Sequence, residues 1–341
     1  MEQALTLNNT AYLSEVCGNI YRIRIPLEGS SLQNINSYLI KGDDRNLLID
    51  TGYRNETCTE TIRAGMAAVG ADLANTDVLL THFHNDHSGA ATDLIRPGRS
   101  IYVPEQEYQF FGIARGPNVY KESRRDRYIL EGISSEEFDE MMYFTLPGAE
   151  GPDFFSHQFV PIKDNQKITV GDYTLTAVHT PGHTPGHMCY WEENHKLMFT
   201  GDHILFDITP NIIPWPGIPN ILGLYLYSLQ KLQNYPAVLS LPGHREPGSL
   251  AARLDEQIRH HQKRLEECES LIALHPGQTA RELTRMLSWN VRRSKKEKRD
   301  IPLPILRYAF GECLSHLDYL CFQQKITRTF LDGARRYRVR G

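Results

Sequence analysis

The densest chemistry in the chain is Thr81-His82-Phe83-His84-Asn85-Asp86-His87-Ser88-Gly89, where three of fourteen histidines and an aspartate fall within six residues. Neutral imidazole and carboxylate are good ligands for divalent first-row metals. His82 and His84 are two apart, so in extended chain their side chains point the same way. Asn85 and Asp86 favour a helix start, and a turn there swings Asp86 and His87 to a different side of the loop. The run therefore divides into two ligand pairs, His82 with His84 and Asp86 with His87, which suggests two metals side by side. The bland reading is a His-rich surface loop. Ligand-type residues further along the chain argue against it.

Those residues stand where strand-like segments end. Asp77-Val78-Leu79-Leu80 reads as a buried strand leading into the histidine run. The strand at residues 46–50 closes on Asp50-Thr51-Gly52. A hairpin at residues 166–179 feeds Thr180-Pro181-Gly182-His183-Thr184-Pro185-Gly186-His187, where glycine and proline fix an irregular loop able to aim a side chain inward. A second hairpin ends in Thr200-Gly201-Asp202, a carboxylate well placed to bridge two cations. The last strand, at residues 238–241, opens into Pro242-Gly243-His244. His179 and His187 read as core or supporting residues, and His203 could touch substrate, with a structural hydrogen bond the safer reading.

The H-x-H-x-D-H pattern resembles the signature of the metallo-β-lactamase superfamily, and the resemblance extends from about residue 18 to residue 248. It implies His82, His84 and His183 on one metal, Asp86, His87 and His244 on the other, and Asp202 between them. Asp50 would support the site by accepting a hydrogen bond from a ligand histidine. The donors are nitrogen and oxygen only, which suits zinc first and iron or manganese as well. Two close cations lower the pKa of a shared water toward roughly 7, giving a metal-bridged hydroxide, with Asp86 as the catalytic carboxylate. Diiron flavoprotein relatives usually carry Glu where His84 stands, so the resemblance implies a hydrolase. The Thr-Pro-Gly-His-Thr-Pro-Gly-His loop is similar to that of glyoxalase II-type thioesterases, and a small ester or thioester is the leading substrate class. An endoribonuclease of the lactamase-like type is the alternative, and a non-catalytic binding or regulatory protein is a third reading.

Two sheets separated by helices, with ligands on loops at one edge, predict an α/β fold: an αββα sandwich over residues 1–248. Residues 1–17 read as a lead-in and residues 88–94 as a helix. The long interval at 104–160 is rich in aromatics and reads as an insertion, either a lid or a helical decoration. A long amphipathic helix at 249–272, helices at 279–287 and 304–323, and a closing hairpin predict a mostly helical C-terminal domain over 249–341. That order resembles a winged helix.

Hydrophobic residues make up 40% and charged residues 23%, as in an ordinary globular protein. No run of about 18 apolar residues suggests a membrane span. The N-terminus lacks the pattern of a signal peptide. Six scattered cysteines without a C-x-x-C pair predict free thiols, and a cytoplasmic location is the expectation. The net charge of −4 hides an asymmetry: from Ala251 onward 19 Lys and Arg face 11 Asp and Glu, and before it 18 face 30. The run Arg292-Arg293-Ser294-Lys295-Lys296-Glu297-Lys298-Arg299 could hold RNA phosphates. It could equally be a solvated loop, or dock on the acidic part of a neighbouring subunit in a homo-oligomer. No aromatic is interleaved for base stacking, so a small-molecule substrate is favoured over RNA.

Overall fold

The computed structural model describes residues 12–113, 117–143, 151–153, 157–289, 301 and 303–341. Two sheets lie face to face. The first contains β1 (Leu13–Cys17), β2 (Ile20–Pro26), β3 (Asn34–Ile40), β4 (Asn46–Ile49), β5 (Thr76–Leu79), β6 (Ile101–Pro104) and β7 (Phe159–Ile162), in that spatial order. Pairing is antiparallel from β1 to β4 and parallel from β4 to β7. The second sheet contains β8 (Lys167–Val170), β9 (Tyr173–His179), β10 (Met188–Glu192), β11 (Leu197–Gly201) and β12 (Leu239–Pro242). It is an antiparallel meander to which β12 adds in parallel.

In β2, Ile23 and Ile25 face one side of the sheet, while Ile20 joins the core between the sheets and Arg22 and Arg24, on the face of Ile20, pair with Glu246. Between the sheets, Tyr38, Ile49 and Leu79 meet Leu175, Tyr190 and Phe199. Helix α1 (Glu56–Ala68), capped by the Asn55 side chain, covers the other face of the first sheet with Cys58, Ile62 and Met66. Two short helices follow β5, α2 (Asn85–Ser88) and α3 (Ala91–Leu94). The single helix expected over 88–94 is thus two turns, the first beginning at Asn85, where the helix-start residues stand.

The interval between β6 and β7 carries α4 (Glu105–Ile113), α5 (Pro117–Leu130) and α6 (Ser135–Tyr143). The outer face of the second sheet is covered by α7 (Ile221–Leu232) and the start of α8 (Leu250–Leu274), through Tyr225, Leu229 and Leu254 against Val178 and Met198. The layering is therefore helix, sheet, sheet, helix. Helices α9 (Ala280–Met286) and α10 (Leu303–Phe322) and the hairpin β13 (Ile326–Leu331) to β14 (Ala334–Val339) complete the chain. Thr279 and Glu282 form a reciprocal cap at the start of α9.

The N-terminal lead-in differs from expectation, since Leu13–Cys17 pairs with β2 as an edge strand. Tyr128, Phe138 and Met141 of α5 and α6 are buried in one cluster with Leu283, Leu306 and Phe310 of the C-terminal helices. The chain then returns past the histidine run, where Gly151 packs on the Asn85 side chain. The side chains of Phe110, Phe111, Tyr120, Tyr143 and Phe144, part of the expected aromatic lid, lie outside the described residues, as does the basic run 292–299. All six cysteines are free thiols. Among the described residues, no helix is long and apolar enough to cross a membrane.

Candidate metal centre

The ligand-type residues converge at one edge of the sandwich because five loops end there. His82 and His84 follow β5 in extended chain, with ring centroids 4.6 Å apart. Helix α2 then turns Asp86 and His87 away. Three sets of ligand atoms each lie within 4.8 Å of one another: His82, His84 and His183; His82, His87 and Asp202; and Asp86, His87 and His244. Asp202 reaches both halves. Its Oδ1 is 3.3 Å from His87 Nε2, and its Oδ2 is 3.7 Å from His183 Nε2 and 3.6 Å from His244 Nε2.

Four of the five rings, those of His82, His87, His183 and His244, are held from behind, which turns the other nitrogen toward the centre. His87 Nδ1 lies 2.7 Å from Asp50 Oδ2. His183 Nδ1 is 3.0 Å from the Asn211 carbonyl and His244 Nδ1 is 2.7 Å from the Asn34 carbonyl. Asp50 also accepts from the Thr81 backbone N–H (2.9 Å) and hydroxyl (2.8 Å). It adopts φ 58°, a left-handed conformation that Asp tolerates better than most residues, turning its carboxylate off the end of β4. The supporting carbonyls of Asn34 and Asn211 carry no side-chain signal, so sequence reasoning missed them. Trp215 was also missed; its ring stacks on His84 at 6.4 Å between centroids and an interplanar angle of 21°.

The glycines of two short motifs have a steric cause. A Cβ on Gly243 would come within 2.6 Å of His87 Cε1 and 2.8 Å of Asp202 Oδ1. One on Gly201, at φ 46°, would meet His187 Nε2 and Thr81 Oγ1 at 2.7 Å. The loop of His244 is pinned to the first sheet by Tyr38, whose hydroxyl donates to the Pro242 carbonyl (2.8 Å), and by Asn36, whose amide donates to the same carbonyl (3.0 Å).

His187 stands behind the cluster: its Nδ1 meets Thr180 Oγ1 at 3.0 Å, and its Nε2 accepts from the Asp202 backbone N–H at 3.2 Å. His179 is turned away, with Nε2 3.3 Å from the Pro185 carbonyl. The His203 ring packs against His187 and Tyr225 with no ring hydrogen bond to the described residues, and its backbone carbonyl accepts from the Tyr225 hydroxyl at 3.1 Å. Burial drives its pKa down to about 3, so it sits neutral and needs no charged partner.

His82 Nε2, His87 Nε2, His244 Nε2 and Asp202 Oδ1 are buried without hydrogen-bond partners. Buried polar atoms in native proteins are normally satisfied. Four such atoms facing one another are a donor set that fits cations. Burial pushes His82 well below the usual imidazole range, with His87 and His84 adding to it, and burial takes His84 to about 3. Burial also opposes charge on His87, but the Asp202 and Asp50 carboxylates outweigh it and hold its pKa well above normal. In His244 the same opposition is overcome by Asp202 and Asp86. Burial raises Asp86, yet His244, whose Nε2 lies 3.3 Å from Asp86 Oδ2, and the His87 charge bring it down to about 2. The Asp50, Asp86 and Asp202 carboxylates thus favour protons on His87 and His244, with which cations would compete.

A family model described as the metallo-beta-lactamase superfamily matches residues 31–244, more than half of the chain. The lactamase-like protein nscB of Neosartorya fischeri is 29% identical over 71% of this chain and 57% of its own. The atrochrysone carboxyl ACP thioesterase AgnL7 of Paecilomyces divaricatus is 30% identical over 72% of this chain and 60% of its own. The match therefore spans less than two thirds of these relatives. A metallo-β-lactamase family protein from Thermus thermophilus superposes with a TM-score of 0.78 and 26% identity, covering 94% of this chain and 99% of that one. A β-lactamase domain protein from Burkholderia ambifaria, at 24% identity, shares the fold with a TM-score of 0.81 over 99% of this chain and 97% of its own. The two-sheet sandwich and the match running from β3 to the His244 loop make this chain a member of the metallo-β-lactamase superfamily.

Proposed function

We propose that this chain is a dinuclear metal-dependent hydrolase of an acyl thioester, similar to glyoxalase II. The observation that carries the reading is the convergence of seven nitrogen and oxygen ligands in three sets, each within 4.8 Å, with Asp202 reaching both halves. His82, His84 and His183 would hold one cation, Asp86, His87 and His244 the other, and Asp202 both. Zinc is the proposed metal; iron or manganese would fit the same donors. When bound, two cations supply a water-derived nucleophile at neutral pH and stabilise charge developing on the acyl oxygen.

The protein's own part is placement. Asp50 orients His87, and the Asn34 and Asn211 carbonyls orient His244 and His183, so each ring presents one fixed nitrogen. Among the seven, His84 and Asp86 are the partly exposed members, so the site opens on their side and substrate arrives there. Asp86 is the carboxylate on that open side and is assigned the catalytic role beside its part as a ligand. The Trp215 ring backs His84 at the same side. The thioesterase name of one relative supports an acyl thioester over other esters. Helices followed by a hairpin support reading 249–341 as a winged-helix-like unit beside the catalytic unit 1–248.

The test is turnover of acyl-coenzyme A, acyl-pantetheine, aryl ester, lactone and single-stranded RNA substrates by metal-loaded protein. Thioester hydrolysis abolished by chelation and restored by metal is expected. RNA cleavage without thioester turnover would overturn the substrate assignment. Full activity in protein stripped of metal would overturn the metal reading.

A further inference from the structure

Glu107, in the first turn of α4, is completely buried, and its carboxylate is divided between two loops. Oε2 accepts from the backbone N–H of Phe83 at 3.1 Å, and Oε1 accepts from that of Gly186 at 2.7 Å. Phe83 stands between His82 and His84, and Gly186 is in the loop that presents His183. Contact there is close enough that a Cβ on Gly186 would fall 2.3 Å from the Glu107 backbone nitrogen. The other half of the centre is anchored elsewhere, His87 by Asp50 and His244 by the Asn34 carbonyl.

We infer that Glu107 is a positioning residue: by tying the His82–His84 segment to the His183 loop, it sets the mutual placement of one cation's three histidines. The inference rests on the dinuclear reading above. A carboxylate has acceptor capacity on both oxygens, so it can receive an N–H from each loop. Gln has one acceptor oxygen and one donor NH2. In E107Q one loop N–H therefore faces another donor, while shape and packing are kept. Space-filling alone would survive that change; bridging would not.

The experiment separates the two halves. H244A leaves the His82, His84 and His183 half intact, and H84A leaves the Asp86, His87 and His244 half intact. Metal affinity is measured in each background by competition with a chromophoric chelator, and the ligand field by the visible spectrum of the cobalt-loaded protein. E107Q is expected to weaken binding about 10–100-fold in the H244A background, the range for loss of a residue that orients ligands. It should also shift the cobalt spectrum there, and change neither readout in the H84A background. Equal losses in both backgrounds, or none in either, would overturn the inference. Melting curves check that E107Q folds. If it does not, E107D, which keeps the charge but is one methylene too short to span both loops, is measured in the same way. Two-metal uptake by the unmutated chain is measured first, and its absence would bring down the dinuclear reading and this inference with it.

Discussion

At the scale of single residues, the rings of His82, His87, His183 and His244 each have one nitrogen held from behind and turn the other toward the cluster. Asp50 shows the logic, because one carboxylate serves the His87 ring and two donors of Thr81. D50N would place an amide donor against a donor, and metal affinity should fall about 10–100-fold in chelator competition. Asp86 lies in the short helix α2 and is partly exposed rather than in the core, so D86N should lower the rate at least ~10²-fold while the melting temperature holds. The pH dependence has a definite sign. In metal-free protein His87 and His244 have raised pKa values, so their imidazolium contacts with carboxylates stabilise the fold at low pH and fade as pH rises through those values. Cations must displace the same protons, so they bind better as pH rises. The gain in melting temperature on adding zinc should therefore widen with increasing pH across the neutral range. A gain independent of pH would contradict the arrangement.

At the scale of elements, the segment between β11 and α7 has no regular structure, yet it carries Asp202, the Asn211 carbonyl and Trp215. The C-terminal helices hold it. Arg253 of α8 donates from Nε to the Leu205 carbonyl and from Nη2 to the Ile208 carbonyl, both at 2.6 Å. Ser315 of α10 donates to the Ile212 carbonyl at 2.7 Å. R253M keeps much of the stem but removes two charge-assisted bonds, each worth about 1.5–3 kcal/mol. It should lower stability by a few kcal/mol in denaturant unfolding and raise protease cleavage between 202 and 220. S315A should cost about 1 kcal/mol and weaken metal binding at the His183 half. A helix usually read as a separate module thus reaches the site through one carbonyl.

At the scale of the molecule, the insertion and the C-terminal helices share a core. Phe310 of α10 is buried, with its ring 4.8 Å from that of Tyr128 in α5 and at a steep angle to it. F310A should destabilise by about 3–5 kcal/mol, the usual cost of emptying a buried Phe site. A chain ending at residue 248 would expose Tyr128, Phe138 and Met141 to water. We expect it to aggregate or to bind a hydrophobic dye strongly, and a well-folded 1–248 fragment with full metal content would show that the catalytic unit stands alone.

How much of this was legible follows from range. The histidine run, the strand ends and the Pro-Gly loops could be read from sequence because residue type, spacing and turn chemistry are local. The two-sheet layering followed from alternation and from the resemblance. Asn34, Asn211 and Glu107 could not be read, since a backbone carbonyl or a lone glutamate acquires its role only from what folding brings beside it. The surroundings of His203 were equally out of reach, because the rings it packs against, His187 and Tyr225, are brought beside it only by folding. Local chemistry thus named the atoms that can meet a metal. Only the tertiary structure decided which nitrogen each ring presents, because that depends on acceptors supplied by strands and loops distant in the chain.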